Sequence, residues 1–350
     1  MNKVTWGLIA VLLGLVFLSS CQAHEEKKVI GFYNLENLFD TIDAPDVRDE
    51  EFTPGSEKQW DDNRYQRKLQ NMASVIAGIG GAEGVAAPAI MGLCEMENLE
   101  VLEDLVATDR LKAFNYQIIH QDSPDERGID VALIYRAEFF NPESFNFVPL
   151  IIEGEDGDRI YTRDQLVVSG KLDGEMLHLI VNHWPSRYGG KERSIPLRNA
   201  AAELTRSLVD SIIGLDADAR VIVMGDLNDD PVDVSVKKYL RAGVTPQDVD
   251  SDSLFNATAP LFFQGRGTLC YRDFWNLFDQ IVVTPNLMQE KSGWNHIVKT
   301  EIYDKQYVRQ QEGDYSGYPY RTFVGNWYHG GFSDHFASYI VLEKKGWSLF

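Results

Sequence analysis

Apolar runs of four to six residues recur along the chain, and each ends abruptly in a polar side chain. Residues 29–33 run into Asn34, residues 89–94 into Glu95, residues 177–181 into Asn182-His183, and residues 221–224 into Gly225-Asp226-Leu227-Asn228. Short apolar runs bounded by turn-forming residues predict buried strands. Two longer segments have helical spacing instead. Over residues 61–79, Tyr65, Leu69, Met72, Ile76 and Ile79 share one face, Asp61 or Asp62 stands at the cap, and Gly80-Gly81 follows. From about residue 196 to residue 213, Leu197, Ala201, Leu204, Leu208 and Ile212 do the same. Each predicted helix has a single apolar face, so both are expected to lie outside a sheet.

The late part of the chain repeats the strand pattern with chemistry inside it. Asp279 is the only charge in the apolar run 277–283, and Ser333-Asp334-His335 leads directly into the run 336–342. Carboxylates, amides and imidazoles are costly to bury unless they are paired, hydrogen-bonded or coordinated. If the strands are related in orientation, their polar ends converge on one rim of the fold, where a site would form. No internal repeat and no Pro/Ser-rich linker divides residues 29–345, which are expected to form one domain.

The beginning of the chain has a different pattern. Lys3 precedes an apolar stretch over residues 4–18, too short and too early for a membrane span, which reads as a secretory signal over residues 1–20. It ends in Leu18-Ser19-Ser20-Cys21, which resembles the lipobox of bacterial lipoproteins. That resemblance implies lipid on Cys21, a short tether over residues 21–28, and an extracytoplasmic protein anchored to a membrane. In such a compartment Cys94 and Cys270 could pair, but their separation in sequence leaves this open. With 44% apolar residues the chain can build a sizeable core, which excludes a disordered protein. Its formal charge of -20 lowers the expectation of metal-free nucleic-acid binding, though a bound cation could neutralise a phosphate locally. No protein partner can be inferred.

Taken together, Asn34, Glu95, His183, Asp226, Asn228, Asp279, Asp334 and His335 resemble, in order and context, the motifs of the endonuclease/exonuclease/phosphatase superfamily. The resemblance runs from about residue 29 to residue 342. It implies a four-layer αββα sandwich in the α/β (α+β) class, with two mostly antiparallel sheets face to face and helices outside both. It also implies a divalent metal held by Glu95 with Asn34 and Asp334 beside it, an oxygen set suited to Mg²⁺ or Mn²⁺, with Ca²⁺ as an alternative. Asp226 and Asn228 then resemble the pair that positions and activates the attacking water. His335, oriented by Asp279, resembles the residue that meets the phosphate, and His183 the acid that protonates the leaving oxygen.

Arg163 and Arg187 are the arginines expected to clamp phosphate, while Lys191 and Arg193 read as solvated loop charges. Asp130 is a possible partner for His183, and Glu97-Asn98 is either a layer behind Glu95 or a helix cap. The Asn182-His183 motif and the Phe278-Asp279-Gln280 run are similar to the DNase branch, so the first expectation is an extracytoplasmic nuclease, with nucleic acid as substrate. A phospholipid phosphodiesterase of the sphingomyelinase kind, or a small-molecule phosphatase, is the alternative. A lipid-anchored binding protein with a decayed site is the distant one.

Overall fold

The computed structural model describes residues 26–344 apart from 46, 155–156, 251 and 292–294. The signal segment and Cys21 therefore lie outside the described residues. In chain order the strands of the two main sheets are β1 (Glu26–Leu38), β2 (Ile90–Met96), β3 (Tyr116–His120), β4 (Asp130–Arg136), β5 (Phe140–Val148), β6 (Gln165–Leu172), β7 (Glu175–His183), β8 (Val221–Asp226), β9 (Ala242–Gly243), β10 (Leu254–Asn256), β11 (Asp279–Val283), β12 (Asn295–Tyr303) and β13 (Ala337–Lys344). One sheet has the order β12-β13-β1-β2-β4-β3 and the other β9-β10-β11-β8-β7-β6-β5. Pairing is mostly antiparallel, with β1 parallel to β2, β7 to β8, and β9 to β10.

Alternation along the strands explains the layers. On β1, Ile30 and Phe32 point between the sheets, where they meet Leu133, Leu179, Ile222, Met224, Ile281 and Ile340. Val29 and Tyr33 point the other way, onto Leu69, Met72 and Ile76 of helix α1 (Asp62–Gly78) and Leu102 of α2 (Leu99–Ala107). Val221 and Val223 of β8 likewise pack outward against Ala201 and Val209 of α3 (Lys191–Leu215). Strands buried on both faces read as continuous apolar runs, and this is why the pattern carried no clean alternation. The result is helix, sheet, sheet, helix, as the motif resemblance implied.

Element ends follow local chemistry. Asp61 caps α1 by accepting a hydrogen bond from the Arg64 N–H, and Gly80 just beyond it has φ +88. Asn98 caps α2 by accepting from the Val101 N–H at 2.9 Å, which settles the cap reading for that residue. Two boundaries differ from expectation. The strand β1 begins at Glu26, so the last three residues of the expected tether are paired to β13. Helix α3 begins at Lys191 instead of near Pro196, which lies inside the helix, where it gives up the backbone bond to Glu192 and crowds that carbonyl. Cys94 and Cys270 are both free thiols.

The topology carries the site. Parallel pairing sets Asn34 opposite Cys94, beside Glu95, and His183 opposite Asp226. Antiparallel pairing sets Asp226 opposite Asp279. Because β13 also runs antiparallel to β1, the Ser333-Asp334-His335 turn that precedes it emerges at the same rim as Asn34.

Candidate active site

The rim begins with irregular backbone. The pairing register shifts between Cys94 and Met96 on β2 and between Asn34 and Leu38 on β1. Inside these bulges Glu95 has φ 61, Glu36 φ 49 and Asn37 φ 53, and beyond β8 Asn228 has φ 51. A side chain with a Cβ disfavours this left-handed region by about 1–3 kcal/mol, and bulges re-aim side chains at such places. The strain is held by hydrogen bonds. The Asn37 N–H donates to Glu95 Oε2 at 3.1 Å, the Glu36 N–H to Asn34 Oδ1 at 2.8 Å, and the Asn228 N–H to Asp226 Oδ1 at 2.9 Å.

The polar side chains from both sheets meet across the rim. Asn34 Nδ2 donates to Asp226 Oδ2 at 3.1 Å, bridging one sheet to the other. His335 Nδ1 lies 2.6 Å from Asp279 Oδ2, and its Nε2 faces Asp226 Oδ2 at 3.9 Å. His183 Nε2 lies 3.7 Å from Glu95 Oε1 and 3.8 Å from Asp226 Oδ2. Asn228 Nδ2 donates to the Trp184 carbonyl at 3.0 Å, which fixes the loop after β7. Ser333 Oγ donates to the Asn34 carbonyl and accepts from the His335 N–H, so the turn before β13 is pinned to β1.

Burial and charge divide the two histidines. Burial opposes charge on His335, but Asp279 and then Asp226 and Asp334 outweigh it and hold the imidazole charged well above its ordinary pKa. His183 goes the other way. Burial pushes it well below the ordinary value, and Arg163, Arg127 and His335 add to the effect, so the resting imidazole is neutral at pH 7. Its expected role as an acid therefore requires that a bound phosphate anion restore the proton. Asp226 is pushed up to about 7, first by burial and then by Asp279 and Glu95, although His335 opposes this.

The donor set fits a hard divalent cation. Glu95, Asp226, Asp279 and Asp334 crowd acid oxygens at one rim with the Asn34 amide among them, and the carboxyls of Asp226 and Glu36 both rise to about 7, chiefly from burial. Ligand atoms of Asp226, Asp279 and His335 lie within 4.8 Å of one another. Added positive charge would relieve that crowding. Asp334, expected beside Glu95, accepts from Arg321 Nη2 at 2.6 Å, and His335 and Arg321 overcome burial to hold it below the usual carboxylate range.

The two expected phosphate arginines are committed elsewhere. Arg163 is buried, donating to Asp125 Oδ2 at 2.9 Å and to the Trp184 carbonyl at 2.7 Å. Arg187 binds Asp229 and Asp233 at 3.1 and 2.8 Å and stacks on Phe278. Both brace the loops that carry His183 and Asn228, through the Trp184 and Asn228 carbonyls at 2.7 and 2.9 Å. Lys191 pairs with Asp233 at 2.7 Å. Asp130 does not meet His183: it pairs with His120 at 2.9 Å and accepts from the Ser123 N–H at 2.7 Å. Glu97 accepts from the Asp40 N–H at 2.7 Å, behind Glu95.

Three side chains were missed. Glu36 accepts from the Thr322 N–H at 2.7 Å and lies 3.6 Å from the buried Lys68 ammonium, with Arg321 Nε at 3.8 Å. Glu36 had a signal, since it follows Asn34 and the buried Leu35 in one strand. Lys68 and Arg321 had none, because one sits on the apolar face of α1 and the other in an aperiodic loop.

Known proteins agree with this architecture. The sequence pattern described as Endonuclease/Exonuclease/phosphatase family matches residues 29–344. No curated protein matches in sequence. Among solved structures, TDP2 from Caenorhabditis elegans is similar with a TM-score of 0.53 and 14% identity, covering 91% of this chain and 74% of that one. A mannosyl-6-phosphatase from Bacteroides thetaiotaomicron gives 0.53 and 17%, covering 90% and 99%. TDP2 from D. rerio, complexed with a single-strand DNA product, gives 0.51 and 14%, covering 90% and 98%. At these identities the likeness is one of fold.

The charge on His335 is open to direct titration. In Asp279→Asn the first of the groups raising its pKa is removed while burial remains, so the imidazole should lose its proton at a lower pH. NMR titration should show His335 protonated through neutral pH in the natural chain and losing its proton at a lower pH in the variant. Equal titration of the two would dissolve the pair as the source of the charge.

Proposed function

Because the chain belongs to the endonuclease/exonuclease/phosphatase family, whose members are divalent-metal-dependent hydrolases of phosphoesters, we propose that it hydrolyses a small phosphorylated molecule outside the cytoplasm, anchored through Cys21. The observation that carries the hydrolytic reading is the charged His335 on Asp279, set against Asp226, with His183 beside Glu95 and Asp226 on the same rim. His335 holds a phosphoryl oxygen, as a buried cation does for an anion. Asp226, raised to about 7, accepts the proton of the attacking water, and a base poised near working pH is best suited to that task. Asn34 and Asn228 fix that carboxylate and the loop beside it. His183 gives its proton to the leaving oxygen once the substrate's charge has raised its pKa. A divalent cation, Mg²⁺ or Mn²⁺, held through Glu95 with Asn34 and Asp334 beside it, would supply charge compensation at the phosphoryl oxygen.

Charge favours a small substrate over a nucleic-acid polymer. The chain carries -20, and Arg163 and Arg187, which could have tracked a backbone, are neutralised by loop carboxylates. Polymer binding draws its affinity from arrays of free cations. The mannosyl-6-phosphatase neighbour has the same fold. Nuclease action is the second reading, supported by the DNase-like Asn182-His183 motif and by the TDP2 neighbour seen with a single-strand DNA product.

The anchor and the acid can be tested separately. Changing Cys21 to Ser should move the protein from the membrane fraction to the soluble one; retention in the membrane would mean that Cys21 carries no anchor. With Mg²⁺ or Mn²⁺, phosphorylated small molecules should be hydrolysed faster than oligonucleotides, and the reverse order would establish the nuclease reading. His183→Ala should cost about 10²–10⁴-fold on an alkyl phosphoester and much less on a nitrophenyl ester, which needs no acid. Equal losses on both would leave the leaving oxygen to another proton source.

A further inference from the structure

The chain enters the sandwich at the end farthest from the catalytic rim. Strand β1 starts at Glu26, opposite Lys344, and delivers Asn34 to the rim eight residues later. In the other sheet β7 repeats the measure, starting at Glu175 and delivering His183 after the same eight residues. The two starting points belong to one base. Lys28 Nζ reaches Asp173 Oδ2 at 3.4 Å in the turn before β7, and Lys344 Nζ reaches Glu175 Oε1 at 2.6 Å. The Asp173 N–H donates to the Phe139 carbonyl at 3.0 Å, which adds the turn between β4 and β5 to this base.

A strand rises about 3.3 Å per residue, so both sheets place the rim about 26 Å from the base. Five Cα steps lead from Cys21 to Glu26. A chain spans at most about 3.6 Å per residue, which gives the tether a reach of about 18 Å whatever path it takes. To act on a headgroup of the bilayer that holds the anchor, the rim must be turned down onto that bilayer, with Glu26 raised above it by the length of the strands. The tether falls about 8 Å short of this. Tipping the sandwich onto its side sets the strands parallel to the membrane, and the mouth then points along the surface.

The rim offers no other way in for a lipid. Asn34, His183, Asp226, Asp279 and His335 are all buried, so substrate has to come down onto them from beyond the strand ends. Loops continue past those ends and add to the height between base and mouth. One of them, residues 184–190, is tied by Arg187 Nε to the Asn228 carbonyl at 2.9 Å and carries the exposed Tyr188. A phosphoester in solution meets no such limit, because the mouth faces solvent in the orientations that the tether allows.

Building on the reading of a phosphoester hydrolase anchored through Cys21, we propose that the short tether holds the catalytic mouth away from the membrane, so that the enzyme takes water-soluble phosphoesters and is barred from the phospholipids of the bilayer that anchors it. A lipid headgroup and a free ester present the same phosphoryl group to His335. What separates them is where the phosphate lies and not its chemistry. Tether length is therefore a selectivity element, and a sphingomyelinase-like action on the anchoring bilayer is excluded by reach.

The test uses the full lipidated chain with Mg²⁺ or Mn²⁺, reconstituted in vesicles of phosphatidylcholine and sphingomyelin. In a Cys270→Ser background a dye is attached through Glu138→Cys, in the turn at the base, or through Tyr188→Cys, beside the rim, both at exposed positions. Energy transfer to an acceptor on the lipid headgroups should be strong from the first and much weaker from the second. Equal transfer, or stronger transfer from the rim, overturns the orientation. Inserting about twenty Gly/Ser residues before Glu26 should narrow the difference, and a difference that survives unchanged overturns the tether as its cause. The anchored chain should hydrolyse nitrophenyl phosphate in solution and release no phosphorylated headgroup from its own vesicles. Headgroup release overturns the proposal while hydrolysis stands. Protein that fails to sediment with the vesicles overturns the anchor and the proposal with it. No turnover of the soluble ester overturns the hydrolase reading and the substrate claim, and the transfer measurement still decides the orientation.

Discussion

Everything at the rim depends on one electrostatic constraint: acid groups from two sheets are buried close together and must be compensated. Asp279 is fully buried, Asp226 nearly so, and Glu95 stands opposite them. Isolated charges in such a place would cost several kcal/mol each. His335 supplies one positive charge, directly against Asp279 and within reach of Asp226. Burial, and then the remaining excess of acid groups at Asp279 and Glu95, pushes Asp226 up to about 7, and a divalent cation would relieve that excess. His183 on the same rim stays neutral because burial, and then Arg163, Arg127 and the charged His335, oppose its protonation.

Compensation continues outward in layers. Lys68 and Arg321 meet Glu36 and Asp334, Arg163 meets Asp125, and Arg198 meets Asp229 at 2.8 Å. These pairs join α1, α3 and the long loops to the strand ends. Side chains that a sequence reader assigns to substrate are thus spent on holding the site together. A buried pair is costly to break, because removing one partner leaves the other charged and alone. That is why Arg163 and Arg187 serve the loops.

Much of this was legible in the sequence because strands report their ends. Each apolar run stops where the backbone leaves the core, and the next side chain is the one that faces the rim, as with Asn34, Glu95, Asp226 and the Asp334-His335 pair. Helix α1 was legible from spacing and caps. What stayed hidden depends on partners far along the chain. Asp130 chooses His120, ten residues before it in the adjoining strand, over His183. Lys68 occupies an apolar face because Thr322 and the Phe332 carbonyl, at 2.6 and 2.7 Å, replace its water.

The central claim is that Glu95 and its neighbours bind a divalent cation on which phosphoester hydrolysis depends. Isothermal calorimetry with Mn²⁺, run beside turnover on a phosphoester, should show binding and phosphate release in the natural chain. In Glu95→Gln, which keeps the volume and removes the charge, both should be lost while the circular dichroism and melting of the protein persist. Full activity in that variant, or turnover that survives removal of the metal by a chelator, would contradict the account.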